Sequence, residues 1–318
     1  MRAMTWNRLR RLAVLAAVFL STCAIAAAQD RGTLNPKPLP PLANPNDPKL
    51  PAKELFGRET TPANMPPQVF GFYSHGCVAG AEAMPVNGPA WQVMRLSRNR
   101  NWGHPELIRV LETLARQAQA VGWPGLLVGD MSQPRGGPML TGHASHQVGL
   151  DADIWLTPMP DRELTRAERE EMSATLVVAA DRRDVDPQVW TPAHAGVIKL
   201  AAKMPEVQRI FVNAAIKKAI CREPDAKGDW QRKVRAYWGH DYHFHIRILC
   251  PAGSPGCKPQ KSVPVGRDGC GKELNWWFRE SVLRPQMKKK PAKKRPSKPF
   301  GITMAKLPAA CRTVLKSP

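Results

Sequence analysis

The sequence predicts an α+β domain, with a small antiparallel sheet flanked by helices and held by disulfides. Three observations predict it. Segments of strand-like and helical period follow one another without strict alternation, unlike a chain of βαβ units. The folded part shows no internal repeat and lies near the upper size of a single domain. Seven cysteines become six once Cys23 leaves with an N-terminal leader, an even number suited to an oxidising compartment.

The leader is residues 1–28. A basic head with Arg2, Arg8, Arg10 and Arg11 precedes the apolar run Leu12 to Leu20, and Ala26-Ala27-Ala28 supplies a small-residue cleavage site. The run is too short to span a bilayer, so the segment reads as a secretory signal. No other stretch has the length and apolarity of a transmembrane segment. Residues 29–67, with PLPPLANPNDP, form a proline-rich extended segment without apolar periodicity.

Residues 68–283 are expected to form the folded domain. VFGFYSHGC and WQVMRLS read as short strands, with His75 a structural or surface residue. Pro105 opens a helix, since proline suits the first helical position. Leu107, Ile108, Leu111, Leu114, Ala118 and Val121 recur on one face until Gly122 ends it. Leu126 to Val128 reads as a strand leading to Asp130 and a glycine-rich loop, in which Arg135 either meets a substrate carboxylate or is an exposed charge. Thr165 to Glu168 is a capping box for a helix running toward Ala180, and Thr191-Pro192 starts another, with His194 in its first turn. Arg209 to Val212 reads as a strand, Asn213 as a cap for a helix ending near Cys221, and Lys272 to Glu280 as a terminal helix.

Two distant stretches concentrate the chemistry. TGHASHQVGLDADIW (141–155) and GHDYHFHIRILC (239–250) hold five of the eight histidines, with Asp151 and Asp153. Strand residues two apart share a face, so His243 and His245 point together, as do Asp151 and Asp153, while Phe244 and Ile246 enter the opposite layer. His146, in a glycine-flanked turn, folds back beside Asp153. His146, Asp153 and His245 thus form a set of two nitrogens and one oxygen that leaves a coordination position open, a pattern that favours catalytic zinc on one face of the sheet.

GHASHQVGLDADIW and HDYHFHIRILCP, with WQVMRLSRNRNWGHPEL and RIFVNAAIKKAIC, resemble the penicillin-insensitive murein endopeptidase family from about Gly71 to Trp277. That family belongs with the lysostaphin-type and D-alanyl-D-alanine metallopeptidases. The resemblance implies a periplasmic zinc enzyme that hydrolyses D-alanyl to meso-diaminopimelyl cross-links of peptidoglycan without a serine nucleophile. It implies zinc ligation by the histidine and aspartate of HxxxxxxD and the last histidine of HxH, which are His146, Asp153 and His245. It also implies His243 as general base and His240 as a second active-site histidine that donates to the oxyanion. A second zinc at a homodimer interface would use His143 with Asp181 and Asp184, but the family has histidine where this chain has Asp184. Of the fifteen or so pairings open to six cysteines, the resemblance selects Cys77 with Cys311, Cys221 with Cys270, and Cys250 with Cys257. A D,D-carboxypeptidase and a non-catalytic wall-binding protein are the alternatives.

The formal charge is +21, and eight basic residues fall between Arg284 and Lys298 without an acid. Residues 284–318 therefore read as a basic, proline- and lysine-rich tail tethered by Cys311. In an exported protein such a tail suits anionic wall polymer or lipid head groups, and nucleic acid is not an expected partner.

Overall fold

The computed structural model describes residues 31–223, 228–283 and 301–318. The expected signal, with Cys23, and the basic run 284–298 lie outside them. The strands are β1 (Gln68–Phe72), β2 (His75–Ala79), β3 (Glu82–Ala83), β4 (Asn87–Gly88), β5 (Trp91–Val93), β6 (Trp102–Gly103), β7 (Leu126–Val128), β8 (Asp151–Trp155), β9 (Val207–Val212), β10 (Val234–Ala236) and β11 (His243–Ile248). The helices are α1 (Ala52–Phe56), α2 (Pro105–Ala118), α3 (Arg166–Glu171), α4 (Pro192–Lys203), α5 (Ala214–Ile220), α6 (Lys272–Asn275), α7 (Glu280–Leu283) and α8 (Ala310–Lys316).

The fold mixes α and β as expected, but its main sheet is neither small nor wholly antiparallel. Seven strands run in the order β10-β9-β11-β8-β7-β5-β4. The centre, β9-β11-β8-β7, is antiparallel, while β5 pairs with β7 and β9 with β10 in parallel. Each parallel pair is joined through a helix, α2 or α5, because parallel neighbours need a crossover. Strand β5 falls at the start of WQVMRLS, as expected, while β4 and β10 have two and three residues, too few for a period of two to show in the sequence.

One core cluster joins the helices to the far side of the sheet. Leu107, Leu111 and Leu114 of α2 and Val197 and Ile198 of α4 meet Ile154, Ile210, Phe244 and Ile246. Each fully buried leucine contributes roughly 2–3 kcal/mol. His104 caps α2 by accepting from Glu106 N–H at 3.2 Å, and Gly122, at φ +76°, closes the following turn. His194 accepts from Thr191 N–H at 3.1 Å and bonds Leu156 O at 3.2 Å, a helix-start role.

Two helices are shorter than their patterns suggest. The capping box at Thr165 is present, but α3 stops at Glu171. Beyond it the backbone finds tertiary partners, with Thr175 N–H donating to Thr157 Oγ1, Val177 N–H to Asp241 O, and Val178 bridging Val185. The terminal helix breaks at Arg279, which is extended, into α6, a 3₁₀ turn and α7.

The three disulfides are those the resemblance implied. Cys77–Cys311 lies in a second small core with Ala52 and Phe56 of α1, so the proline-rich segment contributes buried side chains as well as a wrapper. Arg135 is not an exposed charge, and its guanidinium is committed within the protein. It is buried, donates to the carbonyls of Val314, Leu315 and Ser317 and pairs with Glu59, thereby clamping the chain end. His75 is half-buried and bonds Lys306 O. Replacing Cys311 with serine opens a link between residues 234 apart. It is expected to lower unfolding free energy by about 3–5 kcal/mol, read as a fall in urea midpoint, and a loss under about 1 kcal/mol would mean that packing and Arg135 already hold α8. Among the described residues, no helix is long and apolar enough to cross a membrane.

Candidate metal centre

The centre is assembled by the pairing of β8 with β11. His245 lies opposite Asp153 and Arg247 opposite Asp151. Residues opposed in a ladder share a face, so these four project together with His243, away from Phe244 and Ile246. His146 arrives from the preceding loop in a left-handed conformation, φ +64°, uncommon for a non-glycine residue. Two bonds hold it there. Its backbone N–H donates to Asp151 Oδ2 at 3.0 Å, and its Nδ1–H donates to Met131 O at 3.0 Å.

Donation from Nδ1 leaves His146 Nε2 with its lone pair facing the centre. That atom is 3.1 Å from His245 Nδ1 and 3.5 Å from Asp153 Oδ1, and the latter two atoms are 3.2 Å apart. Ligand atoms about 2.0–2.1 Å from a tetrahedral ion lie about 3.3 Å from one another, so the three donors fit one cation. Asp153 Oδ1 is also buried without a hydrogen-bond partner, an orphan acceptor of the kind a cation satisfies.

His143 stands beside the same centre. Its Nε2 bonds Asp130 Oδ2 at 2.9 Å and its Nδ1 is 3.4 Å from Asp153 Oδ2. Donor atoms of His143, His146 and Asp153 all lie within 4.8 Å of one another. The other two residues expected at a second zinc are engaged differently. Asp184 is gripped by Arg222 through two bonds of 2.8 Å and by Lys218 at 3.1 Å, while Asp181 accepts from Arg183 N–H.

His243 and His240 complete the cluster. His243 Nε2 lies 3.6 Å from Asp153 Oδ1, and the rings of His240 and His243 are 4.7 Å apart. His240 Nδ1 is 2.7 Å from Trp238 O, and a carbonyl only accepts, so Nδ1 carries the proton. In the neutral ring Nε2 is then an acceptor. The expected donation from His240 to an oxyanion would need a second ring proton, which burial disfavours by lowering its pKa to about 3.

Electrostatics separates the roles of these groups. Burial would raise Asp153, but the imidazoles of His243, His146 and His143 outweigh it and hold the carboxyl well below its usual range. Burial lowers His146 to about 4 and also lowers His243. For His245 burial opposes the charge, yet Asp151 and Asp153 prevail and raise it to about 9, so a cation at Nδ1 would have to displace the proton there while Nε2–H stays toward Asp151. Its Nε2 faces Asp151 Oδ1 at 3.2 Å as an ion-pair contact without the alignment of a hydrogen bond.

Asp151 has three tasks: it accepts His146 N–H, faces His245 and pairs with Arg247 Nε at 2.8 Å. Sequence reasoning missed Arg247, although its position two residues beyond His245 placed it on the same face. It also missed Arg98 and Arg100, which pair with Asp130 at 3.1 and 2.9 Å. Both line a cavity of about 460 Å³ that reaches His143, Asp153 and His243.

A carboxylate kept ionised among imidazoles and lining a cavity is consistent with a metal centre, an arrangement that metal-assisted hydrolysis can use. The chain belongs to the peptidase family described as penicillin-insensitive murein endopeptidase, whose sequence pattern matches residues 69–316. It is 44% identical over 253 residues to the penicillin-insensitive murein endopeptidase of Haemophilus influenzae, covering 78% of this chain and 82% of that protein. It is 41% identical over 256 residues to the protein of that name from Klebsiella pneumoniae subsp. pneumoniae, covering 80% and 89%. The Escherichia coli O1:K1 / APEC protein of that name is 40% identical over 256 residues, also covering 80% and 89%.

Proposed function

We propose that the chain is a periplasmic, zinc-dependent murein DD-endopeptidase that hydrolyses D-alanyl to meso-diaminopimelyl cross-links and is insensitive to penicillin. The observation that carries the zinc site is the convergence of His146 Nε2, Asp153 Oδ1 and His245 Nδ1 at 3.1–3.5 Å. Zinc held by these three residues supplies Lewis acidity, polarising a peptide carbonyl and making water nucleophilic near neutral pH.

The protein's own groups do the rest. His243, kept neutral by burial, accepts a proton at Nε2, the nitrogen aimed at the triad, and returns it to the leaving amine. His240 Nε2 offers an acceptor beside it and orients a donor of the reactants. Asp151 and Met131 O fix the two imidazoles, as buried partners of ligands do. Three disulfides suit an exported protein. The second zinc and the homodimer are not part of the proposal, because Asp184 is committed to Arg222 and Lys218.

Digestion of cross-linked muropeptide dimers tests this reading. Dimers are expected to become monomers, to stay intact after chelation, to be cut again when zinc returns, and to be cut at an unchanged rate with penicillin. Release of free D-alanine from intact dimers would identify a D,D-carboxypeptidase, and indifference to chelation would remove the metal.

A further inference from the structure

We propose that Tyr237, Trp238 and Trp276 form a ridge that binds the sugar rings of the murein glycan strand, a proposal that rests on the murein reading above. The three side chains are 50%, 51% and 42% exposed. Single exposed apolar residues are ordinary, but adjoining exposed rings mark a binding surface.

The ridge is braced. Trp238 packs edge-on against Trp277 at 4.8 Å and Trp276 at 6.2 Å, and Trp276 meets Trp277 at 5.1 Å. Tyr237 leans on Phe211 at 5.3 Å. The 3₁₀ turn carrying Trp276 follows α6 directly, and Cys270, just before α6, is bonded to Cys221 at the end of α5. Rings fixed in this way lose little conformational freedom when a ligand covers them.

The ridge is also continuous with the candidate centre. Tyr237 meets His240 edge-on at 5.6 Å, and His240 lies 4.7 Å from His243. The cavity lined by Arg98 and Arg100 reaches His243 from its own side, and His240 is not among its walls. A cross-link reaching from that cavity past His243 and His240 would bring its attached polymer to the aromatic rings. Murein consists of sugar strands joined by short peptides. A pyranose ring presents a face of C–H groups with its hydroxyls around the edge, and such a face matches the negative face of an indole or phenol. The stem peptides, rich in carboxylates and amides, offer no comparable apolar plane.

The test uses the full chain and two substrates: cross-linked dimers carrying their disaccharides, and the same cross-linked peptides stripped of sugar. Wild type is expected to show a KM about tenfold lower on the sugar-bearing dimer. Trp276→Ala should abolish that advantage with kcat and the sugar-free KM unchanged, and Trp276→Phe should retain it. Peptide-free glycan strands should quench wild-type tryptophan fluorescence, and Trp238→Ala should weaken their binding by about tenfold. Equal KM values on the two substrates, unaltered strand binding by both alanine variants, or a ridge that instead mediates self-association in sedimentation would overturn the proposal. Should neither substrate be cleaved, the murein hydrolase reading fails, while strand binding still decides the ridge.

Discussion

Replacing His146 with alanine is expected to remove dimer cleavage and bound zinc together. On the proposed zinc reading the side chain supplies one of three donors, and the remaining pair, Asp153 Oδ1 and His245 Nδ1 at 3.2 Å, would make a poor seat for an ion. Loss of several kcal/mol of charge stabilisation corresponds to a fall in rate of about a thousandfold or more. The fold should persist, because the bond to Asp151 comes from the backbone N–H of residue 146 and survives the substitution. Metal content by mass spectrometry and dimer cleavage by chromatography read the two losses. A variant with one zinc per chain and normal turnover would remove His146 from the centre.

Replacing His243 with alanine should separate the two losses. Zinc is expected to stay, since His243 is not one of the three converging donors, while kcat falls by about 10²- to 10⁴-fold, the usual worth of a positioned base. The pH profile gives an independent check. Burial depresses the pKa of His243, and a base works unprotonated, so wild-type activity should hold at neutral pH and decline on the acid side below about 6.5, the ordinary imidazole value. Protonation through the depressed pKa removes the acceptor, so activity falls as pH falls. An alanine variant that kept most of its turnover, or that lost zinc with its activity, would assign the residue another task.

The parts legible in the sequence were those with a long or dense pattern. Helix α2 repeats its apolar residues on one face along its 14-residue length, and β8 and β11 show their faces through Asp151/Asp153 and His243/His245. The cysteine pairing came from family likeness, because spacing alone left every pairing open. What escaped was set by contacts distant in sequence. The mixed outer sheet depends on strands of two or three residues. Helix α3 is cut short by partners at Thr157, Asp241 and Val185. Arg135 is a clamp only because the chain end passes beneath it. The tautomer of His240 follows from one carbonyl, that of Trp238.

The facing of His245 and Asp153 across β8 and β11 has a bearing on assembly as well as chemistry. Sliding one strand by a single position would turn the imidazole or the carboxylate into the apolar layer. On the zinc reading proposed above, only the correctly paired chain would retain the ion, so metal binding would report on the register of the sheet.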